Sequence, residues 1–87
     1  MIIKKNAQVK NAQGLHARPA SIFVQIANRF ESDITVRKDS EEVNGKSIMG
    51  LMMLAASAGS IIEIEISGND AVEAMKALEE FLEKDKE

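Results

Sequence analysis

The sequence predicts a two-layer α+β sandwich, an antiparallel sheet covered on one face by three helices, in the order β-α-β-β-α-β-α. Three observations carry that expectation. The stretch "IIEIEIS" sets Ile62, Ile64 and Ile66 on one side and Glu63 and Glu65 on the other, the alternation of a strand with one solvated face. Phe23, Ile26, Ala27 and Phe30 recur at i, i+3, i+4 and i+7, with Ile22 alongside, which is the stripe of an amphipathic helix. No Pro/Gly/Ser linker, repeat or low-complexity stretch divides the 87 residues, so residues 1–87 read as one domain.

Each element follows from local chemistry. Ile3, Ala7 and Val9 give a weak period of two and place a first strand over Ile3 to Val9. Gly14 then breaks the chain, and Pro19 fits a first helical turn, where its missing N–H would be unpaired in any case. The first helix runs from Pro19 to Arg29 or Phe30. "DITVRK" turns Ile34 and Val36 inward as a second strand, "KDSEE" is a turn, and "EVN" returns as a short third strand. After the Asn44-Gly45 turn, Ser47 is placed as N-cap of an apolar second helix with Gly59 as its C′ residue. Asp70 and Glu73 resemble a capping box opening a third helix, whose buried stripe is Val72, Met75, Leu78 and Leu82.

Composition narrows the function. There is no cysteine, which excludes disulfides, thiol nucleophiles and thiolate metal sites. The N-terminal stretch lacks the apolar core of a secretory signal, and "IMGLMMLAASA" is far short of the roughly 20 residues of a membrane span, so a cytoplasmic protein is expected. Net charge is −3 but unevenly spread: residues 1–38 hold seven basic side chains against two acidic, and the remainder four against twelve. Three phenylalanines and no Arg/Lys block make nucleic-acid binding a poor fit, whereas anionic ligands and acidic protein partners suit the basic half.

The only histidine and the only proline fall together in "GLHARPA". Two readings stand for His16. It is either a capping or solvated histidine at a helix mouth, or a nucleophile whose imidazole accepts and carries a phosphoryl group. The second gains from its place before Pro19, beside the free N–H groups and positive dipole end of a helix, and from Arg18, whose guanidinium suits phosphate oxygens. No HxxE or HxxH spacing supports a metal, and Ser21 has no base to make a hydrolytic triad. His16 acting covalently is therefore a relay.

In "KSIMGLMMLAASAG" the helix after Ser47 is apolar nearly all round. One layer of helices cannot enclose it, so some of Ile48, Met49, Met52 and Met53 should stay exposed as a docking patch, with Leu51 and Leu54 in the core. Methionine suits such a surface because its flexible thioether repacks against different partners. A phosphate on Ser47 would add about −1.5 to −2 charges at a helix N-terminus, tolerated there but repelling an acidic partner on the adjacent patch.

"GLHARPA" followed by "KSIMGLMMLAA" resembles the HPr family, histidine-containing phosphocarriers of the bacterial phosphoenolpyruvate:sugar phosphotransferase system, over essentially the whole chain. The resemblance implies an open-faced β-sandwich of four strands and three helices. It implies that His16 is phosphorylated on Nδ1 by phospho-enzyme I and passes the group to IIA domains of sugar permeases, with Arg18 neutralising the phosphoryl oxygens. Ala20, Ile48, Met49 and Met52 correspond to the family's partner-docking surface. "KSIMG" is similar to the low-GC Gram-positive form, in which HPr kinase/phosphorylase modifies the serine matching Ser47 and the product is corepressor for catabolite control protein A. The related Crh proteins keep that serine and lack the histidine, so a chiefly regulatory, Crh-like role is the alternative. A monomeric, cofactor-free, metal-free phosphoryl relay rather than an enzyme is expected.

Overall fold

In the computed structural model, which describes residues 1–84, seven elements occur in the expected order: β1 (Ile2–Gln8), α1 (Ala17–Ala27), β2 (Asp33–Lys38), β3 (Glu41–Asn44), α2 (Ile48–Leu54), β4 (Ile61–Ser67) and α3 (Ala71–Glu83). The four strands form one sheet in the order β1-β4-β2-β3, antiparallel throughout. β4 and β2 are the inner strands, and β4 alternates because one of its faces is buried under the helices and the other is open. Ile62, Ile64 and Ile66 are buried, opposite Ala7, Lys5 and Ile3 of β1, and Ile66 and Ile64 meet Ile34 and Val36 of β2.

α3 packs over β1 and β4, α2 over β2 and β3, and α1 against both helices. The core between the layers is built from Phe23, Leu51, Leu54, Met75, Leu78 and the inward isoleucines. On the open face, Arg37 is held by three carboxylates. Its Nε meets Glu42 at 2.9 Å, and its Nη1 meets Glu63 at 3.0 Å and Glu65 at 2.8 Å. The hydrogen bonds to Glu65, Glu42 and Glu63 push the guanidinium pKa above its ordinary value.

Several details differ from the sequence reading. Helix α1 begins at Ala17, two residues before Pro19, and its regular part ends at Ala27. Arg29 and Phe30 follow with N–H bonds to Ile26 and Ala27, a tightened last turn that carries the hydrophobic period past the helix. α2 ends at Leu54, with Ala55 in the left-handed conformation (φ 58°) where Gly59 was expected to terminate it. The earlier turn carries the chain to Ala56, whose carbonyl accepts from Leu15 N–H at 2.8 Å. Gly59 instead donates to the Val9 carbonyl at 2.7 Å, leading into β4.

Val72 is 53% exposed; the stripe of α3 is Ala71, Ala74, Met75, Leu78 and Leu82. Asp70 occupies the N-cap position of α3 without a side-chain cap bond. Its carboxylate accepts from Glu31 N–H (2.9 Å), Ser32 N–H (3.0 Å) and the Ser32 hydroxyl, tying α3 to the loop before β2. Those bonds, the Ser32 hydroxyl first, hold its pKa below the ordinary carboxylate value.

Candidate functional site

The site lies where the loop before α1 meets the end of α2. Asn11 opens a turn in which its side-chain oxygen accepts from Gln13 N–H (2.8 Å) and its carbonyl from Gly14 N–H (3.0 Å). Gly14 adopts φ +69°, and a Cβ there would lie 2.5 Å from the Ala56 carbonyl oxygen, so only glycine lets the two loops touch. Leu15 is buried and bonded to Ala56, which fixes the residue that follows it.

That residue is His16. It is the N-cap of α1, with extended backbone (φ −129°, ψ 151°), an exposed side chain and no side-chain cap bond. Ala17 follows at φ 43°, left-handed backbone that costs a non-glycine residue roughly 1–2 kcal/mol. Arg18 is exposed on the first turn, and Pro19 is buried as the third helical residue, where an N–H would lack an intrahelical acceptor. The first turn carries no acidic residue, so nothing there opposes an anion drawn to the helix dipole.

His16 borders a depression of about 250 Å³, shared with Gln13, Leu15, Ala55, Ala56 and Ser57. The C-terminal end of α2 is therefore at the histidine, and its N-terminal end carries Ser47. Seven helical residues separate the two, about 10 Å at 1.5 Å per residue. Ser47 caps its helix as expected, its Oγ accepting from Gly50 N–H at 2.9 Å. Beside it, the Lys46 ammonium donates to the Phe30 carbonyl at 2.7 Å, anchoring this end of α2 to the chain leaving α1.

Ile48, Met49 and Met53 are 41%, 70% and 73% exposed, and Leu51 and Leu54 are buried, as the apolar run required. Met52 is half-buried and also packs on the core. Ala20 differs from its assignment to the docking surface. It is fully buried (0% exposed), because the helix turns this position inward with Phe23 and Val24, and it supports the face without forming it. Gln13 and the loop of Ala55, Ala56 and Ser57 had not been singled out. They have neutral side chains and enter through the backbone contact with Gly14, and a glycine in the loop before His16 was their only trace in the sequence.

Among the described residues no three His, Asp or Glu side chains gather as a metal site, and no helix is long and apolar enough to cross a membrane. A four-stranded antiparallel sheet under three helices, with an exposed histidine and arginine at the mouth of the first helix and an apolar helix beside it, describes the phosphocarrier class. The chain belongs to the HPr family: residues 3–84 match the family model for the PTS HPr component phosphorylation site.

Among curated proteins, it is 54% identical over 84 residues to the HPr-like protein Crh of Halalkalibacterium halodurans, covering 97% of this chain and 100% of that one. It is 48% identical over 81 residues to phosphocarrier protein HPr of Neisseria meningitidis serogroup A, covering 93% and 91%. Among solved structures, phosphocarrier protein HPr from Bacillus anthracis superposes with a TM-score of 0.91 at 50% identity, covering 94% and 98%.

Proposed function

We propose that this protein is a stoichiometric phosphoryl relay, accepting the group on Nδ1 of His16 from phospho-enzyme I and delivering it to IIA domains of sugar permeases. The observation that carries the reading is the His16 side chain, exposed at the N-cap of α1 and not used as a cap.

A neutral imidazole with its proton on Nε2 offers the Nδ1 lone pair to the donor's phosphorus. The new N–P bond forms as the donor's N–P bond breaks, and the electron pair of that bond returns to the donor's nitrogen. The transferred group then sits where the open N–H groups of the first turn and the Arg18 guanidinium neutralise its oxygens. Donation to the next partner reverses these steps. Ile48, Met49, Met52 and Met53 of α2 hold the partner, and the depression beside His16 is where its reacting side chain enters.

The same chain carries a control point. Phosphorylation of Ser47 by HPr kinase/phosphorylase would place a dianion next to Ile48 and Met49, repelling an acidic partner while the N-terminus of α2 tolerates the charge. The phosphoserine form would serve catabolite control protein A. A chiefly regulatory role is supported by the Crh relative at 54% identity, but a histidine at the mouth of α1 favours the carrier.

Incubation with enzyme I and labelled phosphoenolpyruvate is expected to give one acid-labile phosphate, absent from His16→Ala. Undiminished labelling of His16→Ala overturns the assignment. ATP and the kinase are expected to give an acid-stable phosphate absent from Ser47→Ala.

A further inference from the structure

Strand β1 is an end strand of the sheet, paired only with β4 among the described residues. The bonds from Val9 N–H to the Ser60 carbonyl and from Gly68 N–H to the Met1 carbonyl set the phase of this ladder. With the observed register, odd-numbered residues of β1 bond to β4, and Ile2, Lys4, Asn6 and Gln8 turn their N–H and C=O groups to the outer edge. We propose that this edge is a second docking surface, which takes an extended acidic segment of a partner protein as a fifth strand.

Charge selects the occupant. From Ile2 to Lys10 the chain carries Lys4, Lys5 and Lys10 and no acidic residue. On the helix side of the edge, Lys76 and Glu79 of α3 line a groove of about 250 Å³ with Ile3, Lys5, Val72 and Met75. Further along, Glu79 and Glu83 border the strand beside Asn6, Gln8 and Lys10, so the basic stretch open to an acidic segment is that of Lys4, Lys5 and Lys76. Lys5 reaches Glu79 at 3.4 Å, an exposed pair of the kind that exchanges partners at little cost. The end of the edge also leaves apolar side chains in water, Ile2 at 65% and Val72 at 53%, which an incoming strand would cover.

A second copy of this chain fits worse. The two-fold pairing that overlaps all of β1 is centred on Lys5, setting two ammonium groups directly opposite each other, a destabilising cross-strand pair. An acidic strand turns the same lysines into attractive contacts, while main-chain bonds supply affinity. The edge lies at the opposite side of the sheet from β3, over which α2 packs, so a partner here leaves the Ile48–Met53 patch open.

Titration of the labelled protein with a short blocked peptide alternating valine and glutamate tests this by amide hydrogen exchange. The amides of Lys4, Asn6 and Gln8 are expected to slow by about tenfold or more, with Ile3, Lys5 and Ala7 unchanged because they already bond to β4. The same peptide with lysine for glutamate should protect none of them. In Asn6→Pro, the lost N–H faces outward, so the melting temperature should hold while protection at Lys4 and Gln8 disappears. In Lys4→Glu with Lys5→Glu, preference should pass to the lysine peptide. Absence of protection at saturating peptide, protection without regard to residue parity, or equal effects of the two peptides overturns the proposal. Protection that grows with protein concentration in the absence of peptide assigns the edge to a second copy and also overturns it.

Discussion

Helices α1 and α2 both open beside the surface proposed to meet partners, yet their first residues are used in opposite ways. Ser47 commits its hydroxyl to Gly50 N–H, a cap worth about 1 kcal/mol, and its helix begins without left-handed backbone. His16 makes no cap bond, stands exposed, and is followed by Ala17 at a strained positive φ. One helix start is thus stabilised by its cap and the other leaves its imidazole without a cap bond. The contrast separates structure from function: a cap that contributes to folding is costly to remove, whereas an idle one is costly only to the chemistry.

The largest effect that sharpens this contrast is His16→Ala. Phosphoryl acceptance is expected to vanish entirely, while the melting temperature stays close to wild type because no cap or core contact is lost. Next comes Met49→Glu, which places a charge in the centre of the exposed face of α2. Titration calorimetry with enzyme I should show affinity weakened by more than about tenfold, with unfolding unchanged. A collapse of stability in that variant would show that Met49 belongs to the core.

Ser47→Ala is expected to cost about 1 kcal/mol in denaturant unfolding, the loss of an N-cap, while His16 still accepts its phosphate. If Ser47→Ala is neutral and His16→Ala destabilising, the contrast between the two caps is broken.

Asp70, the N-cap of α3, supplies a third case, in which the side chain turns away from its own helix to bind Glu31 and Ser32. Its folded-state pKa is depressed, so its stabilising effect is complete above the ordinary value of 3.8 and is lost as pH falls through the lower folded value. Asp70→Asn should therefore be less stable than wild type at neutral pH, with the two converging in acid. Unfolding followed across that window checks the sign.

These caps also mark where the sequence was and was not readable. Alternation in β4 and the periodic stripe of α1 are local patterns, each enforced by one buried face, so element order and strand character followed from them. The exposure of Ile48, Met49 and Met53 followed as well, since a helix apolar on all sides cannot be enclosed by a single layer. The exposure of Ala20 and of Val72 and the bonding of Asp70, which is the N-cap as expected, were misread for different reasons. Ala20 was placed on the docking surface by the family resemblance, although it stands three residues before Phe23 and shares its buried face. Val72 follows the buried Ala71 and falls on the solvent side of α3, although that helix begins where expected. Asp70 has a capping-box sequence, but Ser32, distant in the chain, competes for its carboxylate. The Gly14 contact with Ala56 is likewise set by tertiary packing, so Gly14 was readable as a break and not as the clamp that holds His16 in place.

The smallest expected effect bears on the strain itself. In Ala17→Gly, relief of the left-handed backbone at φ 43° gains roughly 1 kcal/mol, and the greater freedom of glycine in the unfolded chain takes back a similar amount. The net change in stability should be within about 0.5 kcal/mol, which equilibrium unfolding can resolve. Phosphoryl transfer gives a separate readout. If the strained residue holds the His16 ring in register with the first turn of α1, glycine loosens that geometry, and the single-turnover rate from enzyme I falls while stability does not. The opposite pairing, a clearly stabilised variant with unaltered transfer, would make the positive φ a packing consequence of the Gly14–Ala56 clamp. The difference between the two helix starts would then reside in the His16 side chain alone.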